Sequence, residues 1–272
     1  MNCKPLWKRL KPLWNRKKIK YFAANWNCPK SARRLTAASL RMISKMFAKV
    51  VLLAALIAGC HSVNFIIRNN EIGAIWVGIL GNAGKAPLAN GGFVLEAFTE
   101  TVIYAPDDWA GRFWARTWCS WDNFFCETGD CGFRLECAGN GGAPPVSLAE
   151  ITLRGWGGLD YYDISLVDGF NVKASMEPVD GWGVDGPYGC KKAACDYYIN
   201  DDCPAELRLY GSAGWTIGCK SACLAFNTDQ YCCRGDYGLP ETCRSSDWPV
   251  NWPAFFKERC PDAYSYAYDD HS

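Results

Sequence analysis

Cysteine, histidine and carboxylate decide which chemistries are open to this chain of 272 residues. Thirteen of its sixteen cysteines lie between Cys119 and Cys260. That density fits an oxidising compartment, because cytosolic thiols are kept reduced. Zinc sites favour CxxC pairs and histidine partners. The chain has no CxxC, and its only histidines are His61 and His271. A disulfide framework is therefore expected, with no metal and no other cofactor. Cys232 and Cys233 are adjacent, so they join different partners. Thirteen is odd, so one cysteine of the run is left over. Neither histidine falls inside the cysteine-rich body, and histidine is the usual general base for serine and cysteine nucleophiles. Ser-His-Asp, Cys-His and HExxH mechanisms are set aside. Any hydrolytic chemistry has to rest on carboxylates.

The charge is distributed unevenly. Residues 1–62 hold 14 Lys and Arg and no Asp or Glu, which leaves 15 basic and 28 acidic residues in 63–272, a formal charge of −13. An acidic body argues against nucleic acid as a partner and suits a neutral or cationic ligand. The segment Met42 to Lys49 is a short basic start, Val50 to Gly59 is apolar, and small residues follow at Ala58, Cys60 and Ser62. This is the plan of a secretory signal peptide over 42–62, cleaved near Cys60 or Ser62. The apolar run is shorter than the roughly 20 residues a bilayer span needs, so no stable membrane span is expected. Ile57-Ala58-Gly59-Cys60 also fits a lipoprotein cleavage site, ranked below ordinary secretion. Residues 1–41 form a basic leader with an imperfect repeat, Lys4-Pro5-Leu6-Trp7 and Lys11-Pro12-Leu13-Trp14. The favoured reading starts translation at Met42 or Met46 and leaves 1–41 out of the mature protein.

The elements that must position any site are mostly β. Val63, Phe65 and Ile67 alternate with Asn64, Ile66 and Arg68. Further strand-like runs are Ile75–Leu80, Phe93–Phe98, Thr101–Tyr104, Arg112–Thr117 and Ala149–Arg154, separated by Gly, Asn, Asp and Pro. Many short strands predict an antiparallel β-sandwich or flattened barrel. From about Tyr188 to Cys260 the alternation fades and the cysteines crowd together, which predicts a disulfide-rich second domain with short helices. Ser221 to Tyr231 is one candidate helix, and Cys203-Pro204-Ala205-Glu206 another turn.

Gly111 to Cys137 reads GRFWARTWCSWDNFFCETGDCGFRLEC. Here the chain resembles the thaumatin-like proteins, the pathogenesis-related group 5 family. The resemblance rests on WARTxC, then CxTGDC, then a cysteine six residues on. It continues through Ser147-Leu148-Ala149-Glu150, Tyr162-Asp163-Ile164-Ser165, Asp229-Gln230-Tyr231-Cys232-Cys233 and Cys260-Pro261-Asp262-Ala263-Tyr264, and covers about residues 63–270. The wording around Ile75–Ile79 and Ala105–Arg112 is closer to animal, especially insect, members. The resemblance implies a sandwich over 63–187, a disulfide-rich lobe over 188–260 and a shortened return to the sandwich over 261–272.

The resemblance also implies pairings: Cys119–Cys126, Cys131–Cys137, Cys195–Cys260, Cys203–Cys219, Cys223–Cys232 and Cys233–Cys243. It places the partner of Cys190 in a segment beyond the last residue, so Cys190 is expected to stay unpaired in a C-terminally short chain. It further implies an acidic cleft between the two domains, formed by Arg112, Glu150, Asp163 and Asp168, with Asp269 or Asp270 as the fifth member. Paired carboxylates can divide acid and base roles in glycoside hydrolysis. The family assigns Glu150 as proton donor and Asp168 as base or ion stabiliser. One obstacle is visible beforehand. Asp163 and Asp168 differ by an odd number, so a straight strand puts them on opposite faces, and only the Asp168-Gly169 turn can bring Asp168 back. Trp156, Tyr161, Tyr162 and Phe170 are candidates for a sugar-stacking platform, with core packing the commoner fate of aromatics. The implied function is a secreted, antifungal defence protein, monomeric, that binds β-1,3-glucan. A weak endo-β-1,3-glucanase using the same cleft is the alternative, and inhibition of an external enzyme the third.

Overall fold

The alternation in β1 (Ser62–Arg68) sets up a two-layer arrangement. The computed structural model describes residues 62–181 and 189–270; the expected leader and almost all of the expected signal peptide lie outside them. β1 pairs antiparallel with β4 (Glu100–Pro106), Phe65 opposite Ile103. The larger sheet has seven strands. Its order is β13 (Ala263–Tyr264), β8 (Tyr161–Ser165), β7 (Leu148–Thr152), β5 (Ala110–Ser120), β2 (Ile75–Gly81) and β3 (Gly92–Leu95), with β6 (Phe125–Thr128) paired to the far end of β5. Only β13 runs parallel to its neighbour. Two-stranded ribbons, β9 (Ala174–Met176) with β10 (Ala193–Cys195) and β11 (Arg208–Tyr210) with β12 (Thr216–Cys219), complete the β structure.

The sandwich interior lies between β1–β4 and the inner face of the large sheet. Val77, Ile79, Phe113 and Ile151 meet Val63, Phe65, Ile67 and Ala105 there, with Trp109 fully buried among them. Packing of this kind supplies most of the favourable free energy, at about 25 cal/mol per Å² of apolar surface removed from water. A second core joins the cysteine-rich segment to the same sheet: Ile164, Leu166 and Phe170 pack with Ile199, Leu207 and Phe256. The lobe is thus built onto the sheet through a shared apolar core.

Six disulfides close in the structure: Cys119–Cys126, Cys131–Cys137, Cys195–Cys260, Cys203–Cys219, Cys223–Cys232 and Cys233–Cys243. The expectation for Cys190 needs correction, because Cys190 is itself disulfide-bonded. The other twelve cysteines of the described residues pair with one another.

Two short α-helices stand in the lobe. α1 (Ala222–Phe226) starts where Ser221 accepts a hydrogen bond from the Leu224 amide at 3.3 Å and stops at Asn227 in the left-handed region, φ 48. It is shorter than the expected Ser221–Tyr231 because Asn227 ends it and the Cys223–Cys232 bond turns the chain back. α2 (Trp252–Arg259) was not foreseen; Asn251 caps it and Pro253 sits in its first turn, where a missing N–H costs nothing. Its periodicity is weak, and only Pro253 and Phe256 are buried.

One motif residue has a purely structural task. Arg116 is fully buried and donates to the carbonyls of Trp76, Val77, Arg134 and Leu135 at 2.8–3.1 Å. It ties the loop after Cys131 to the edge of β2. Burial pushes its pKa down to about 10, opposed by the charge of Asp130.

Candidate functional site

Register places the first three polar residues of the site. On β5 Arg112 lies directly opposite Glu150 of β7, and Glu150 lies directly opposite Asp163 of β8. Residues opposite one another in a ladder project to the same face, so this row crosses the middle of the large sheet on its outer side. Phe113 and Ile151, their chain neighbours, face inward to the sandwich core. The same alternation that buries the core therefore presents one cation and two carboxylates together.

Asp168 reaches the row by a turn. β8 ends at Ser165, and the Gly169 amide bonds back to Leu166 O at 2.8 Å. Gly169 has φ 90, and a Cβ there would stand 2.6 Å from Cys219 O. Only glycine fits both demands. The turn is held from outside: Val146 N donates to Asp168 O at 3.1 Å, and Phe170 exchanges two 2.8 Å bonds with Cys219. The parity that separates Asp163 from Asp168 in a straight strand is undone at this point.

β13 supplies the opposite wall. It lies beside β8 with Tyr264 opposite Ser165, and Tyr264, Tyr266 and Asp270 line the same cleft as Arg112, Glu150, Asp163 and Asp168. The cleft has a volume of about 460 Å³. Of the two candidates for the fifth member, Asp270 is the one on the cleft. Asp269 is committed elsewhere: it accepts from Ser265 N at 2.9 Å and Ser265 Oγ at 2.7 Å, and meets Lys257 Nζ at 3.3 Å. Lys257 also donates to Pro261 O and Ala263 O, so α2 braces the chain that carries Tyr264 and Asp270.

The electrostatics are those of carboxylates crowded around one cation. Arg112 Nε is 3.8 Å from Glu150 Oε1, too long for a hydrogen bond, and that buried nitrogen has no other partner. Burial raises the pKa of Glu150; Arg112 opposes the rise and Asp168 adds to it. Burial also raises Asp168, again opposed by Arg112. Asp163 is raised most, to about 8, by burial and then by the charge of Glu150. The carboxyl that holds a proton at neutral pH is therefore Asp163, which the sequence had placed in the cleft without a proton-handling role. Burial also raises the Tyr264 phenol, with Asp163 the first of the charges that add to it, so Tyr264 stays neutral. Among the described residues no group of three or more His, Cys, Asp or Glu is arranged to hold a metal ion.

Of the two readings of the aromatics, core packing is the one the structure favours. Phe170 is fully buried, Tyr161 is buried, Tyr162 packs against the sandwich core and Trp156 is exposed, and none lines the cleft. Core packing claims the first three, as it does most aromatics. The rings that do line the cleft, Tyr264 and Tyr266, were missed. Their spacing of two is the signal that could have found them, since it puts both on one face of an extended segment.

Comparison with known proteins gives a consistent set of likenesses. The sequence model described as the Thaumatin family matches residues 69–272. The chain is 49% identical over 213 residues to a protein named Pathogenesis-related protein 5 from Arabidopsis thaliana, covering 77% of this chain and 83% of that one. It is 44% identical over 216 residues to one named Glucan endo-1,3-beta-glucosidase from Prunus avium, covering 78% and 84%. A solved thaumatin-like xylanase inhibitor aligns at 26% identity with a TM-score of 0.34, over 47% of this chain and 94% of that one.

Proposed function

Because the chain belongs to the thaumatin family, we propose that it is a secreted, antifungal defence protein that binds β-1,3-glucan through the acidic cleft. The observation that carries this reading is the convergence of Arg112, Glu150, Asp163, Asp168 and Asp270 on one groove. Carboxylates accept hydrogen bonds from sugar hydroxyls, and the part-exposed guanidinium of Arg112 can donate them. Tyr264 and Tyr266 add apolar ring surface with polar tips, the composition that suits a sugar face. A neutral polysaccharide also escapes the repulsion that a body of −13 exerts on anions. Many disulfides and the pathogenesis-related relatives support an extracellular location.

A second reading uses the same groove for catalysis, as a weak endo-β-1,3-glucanase. Its support is the raised pKa of Glu150, which suits a proton donor, and the name carried by the Prunus avium relative. Glu150 would protonate the leaving oxygen, and Asp168, drawn back toward its charged form by Arg112, would act as base.

Retention on insoluble β-1,3-glucan tests the first reading. Wild-type protein is expected to be retained and Asp168→Asn to be released; retention unchanged by both Asp168→Asn and Glu150→Gln would remove the cleft from the function. Reducing ends from laminarin test the second. It stands if they form and disappear in Glu150→Gln, and it fails if none form.

A further inference from the structure

Aromatic side chains gather at the tip of the β5–β6 hairpin, away from the acidic cleft. Phe125 of β6 stacks on Phe133, with ring centroids 5.4 Å apart and planes 27° from parallel. Trp121, in the turn, stands edge-on to Phe124 at 5.8 Å. Trp121 is 63% exposed and Phe133 65%. Rings of this size ordinarily go to the core, where their apolar surface leaves water. Ser120, at the start of this turn, lies eight residues beyond Arg112 on β5, about 26 Å in an extended strand.

The backbone holds these rings out. Phe124 and Phe133 have φ 50 and φ 56, in the left-handed region that is unfavourable for a bulky residue. Fixed partners maintain that conformation. The buried Asp130 carboxylate accepts from Cys126 N at 3.1 Å through one oxygen, and from Gly132 N at 2.8 Å and Phe133 N at 3.1 Å through the other. One side chain thus ties the strand of Phe125 to the backbone of Phe133. Cys119–Cys126 closes the hairpin and Cys131–Cys137 closes the loop that follows. Arg116 donates to Arg134 O and Leu135 O, just beyond Phe133, and its guanidinium lies 5.6 Å from the Phe124 ring centroid. Strained backbone that its surroundings over-determine, beneath exposed rings that add little to the core, marks a surface kept for a ligand.

We propose that Trp121, Phe125 and Phe133 form a stacking platform for a neutral polysaccharide, separate from the acidic cleft. A pyranose ring carries C–H groups on its faces and hydroxyls around its edge. The platform offers the complement: flat rings, with exposed Ser120, Asp122, Asn123 and Arg134 between and beside them in the chain as hydrogen-bonding groups. A lipid or an apolar peptide laid over the rings would leave such groups unpaired. A polyanion meets the repulsion of a body of −13. The ligand class rests on the glucan reading, but the site does not, since none of its residues lines the cleft. A polymer that touches both sites gains an avidity that a short oligosaccharide lacks.

Retardation of the full chain in native gels cast with laminarin measures its apparent affinity. Phe133→Gly is expected to weaken that affinity at least about fivefold, a factor common for one aromatic contact. Its melting temperature should stay unchanged or rise, because glycine is unstrained at φ 56. Trp121→Ser is expected to weaken affinity likewise. Trp156→Ser removes a ring that is 71% exposed, between Thr152 and Tyr161 at the Ala110 end of the sheet, and should change nothing; equal weakening by it overturns the proposal. The two sites fail separately. Asp168→Asn and Glu150→Gln without effect would remove the cleft, whereas Phe133→Gly and Trp121→Ser without effect overturn the platform. Wild type that laminarin does not retard refutes both. Acrylamide should quench the emission that Trp121→Phe removes; if it does not, another part of the chain covers the rings and the platform is refuted. A concentration-dependent dimer abolished by Phe133→Gly also overturns it, by making a second copy the occupant.

Discussion

Asp163→Asn tests the charge state of the cleft through stability. A free Asp releases its proton near 3.8, whereas Asp163 in the folded cleft holds it to about 8. Between those limits unfolding releases about one proton. A carboxyl raised in this way contributes stability that is complete below its unfolded pKa and is lost as pH rises through the folded one. For one full proton the slope is about 1.4 kcal/mol per pH unit. Glu150 is directly opposite and titrates with it, so the pair shares the change, and a slope of about 1 kcal/mol per pH unit is the working figure. Asparagine cannot release a proton and has nearly the shape of the protonated acid. The stability of wild type minus that of Asp163→Asn should therefore fall by about 2 kcal/mol between about pH 5 and about pH 7. Urea unfolding followed by tryptophan fluorescence, disulfides intact, measures both proteins across that range. A difference that does not change with pH would refute the assignment of the proton to Asp163. Under the glucan reading, the variant should also keep its retention at neutral pH, because it replaces a carboxyl that is already uncharged.

Two other substitutions probe what holds the cleft in place. Arg116→Met leaves four carbonyls of Trp76, Val77, Arg134 and Leu135 without their donor; a loss of about 5 kcal/mol is expected in the same unfolding assay, and a loss under about 1 kcal/mol would mean that water replaces the guanidinium at no cost. Gly169→Ala adds a Cβ 2.6 Å from Cys219 O at a positive φ; it should cost about 2–4 kcal/mol and weaken glucan retention by displacing Asp168, and full retention would show that the turn does not place that carboxylate.

Much of the fold was legible. β1, β2, β4, β5 and β7 fall close to where their strand-like runs and turn residues put them; β1 and β4 show the plain alternation of strands with one face in the core. β3 ends at Leu95, short of the expected Phe98. α2 escaped notice because helical periodicity is faint when only Pro253 and Phe256 are buried. Core packing, the commoner fate of aromatics, claims Phe170 and Tyr161 although each stands two residues from a cleft carboxylate in sequence.

What the sequence determined by itself is the chemistry available: a cysteine load that demands an oxidising environment, an acidic body, no histidine between Cys119 and Cys260, and a set of strands with two distinct faces. The tertiary structure decided which of those groups meet. Arg112, Glu150 and Asp163 become neighbours only when β5, β7 and β8 lie side by side in one register. Asp168 joins them only through the Gly169 turn, and Asp270 rather than Asp269 is selected by where Ser265 and Lys257 hold the chain. The raised pKa of Asp163 has the same origin, since burial and the facing Glu150 are properties of the assembled sheet. A strand carries its own alternation in its sequence, but its partner, register and covering layer are fixed by packing against distant residues.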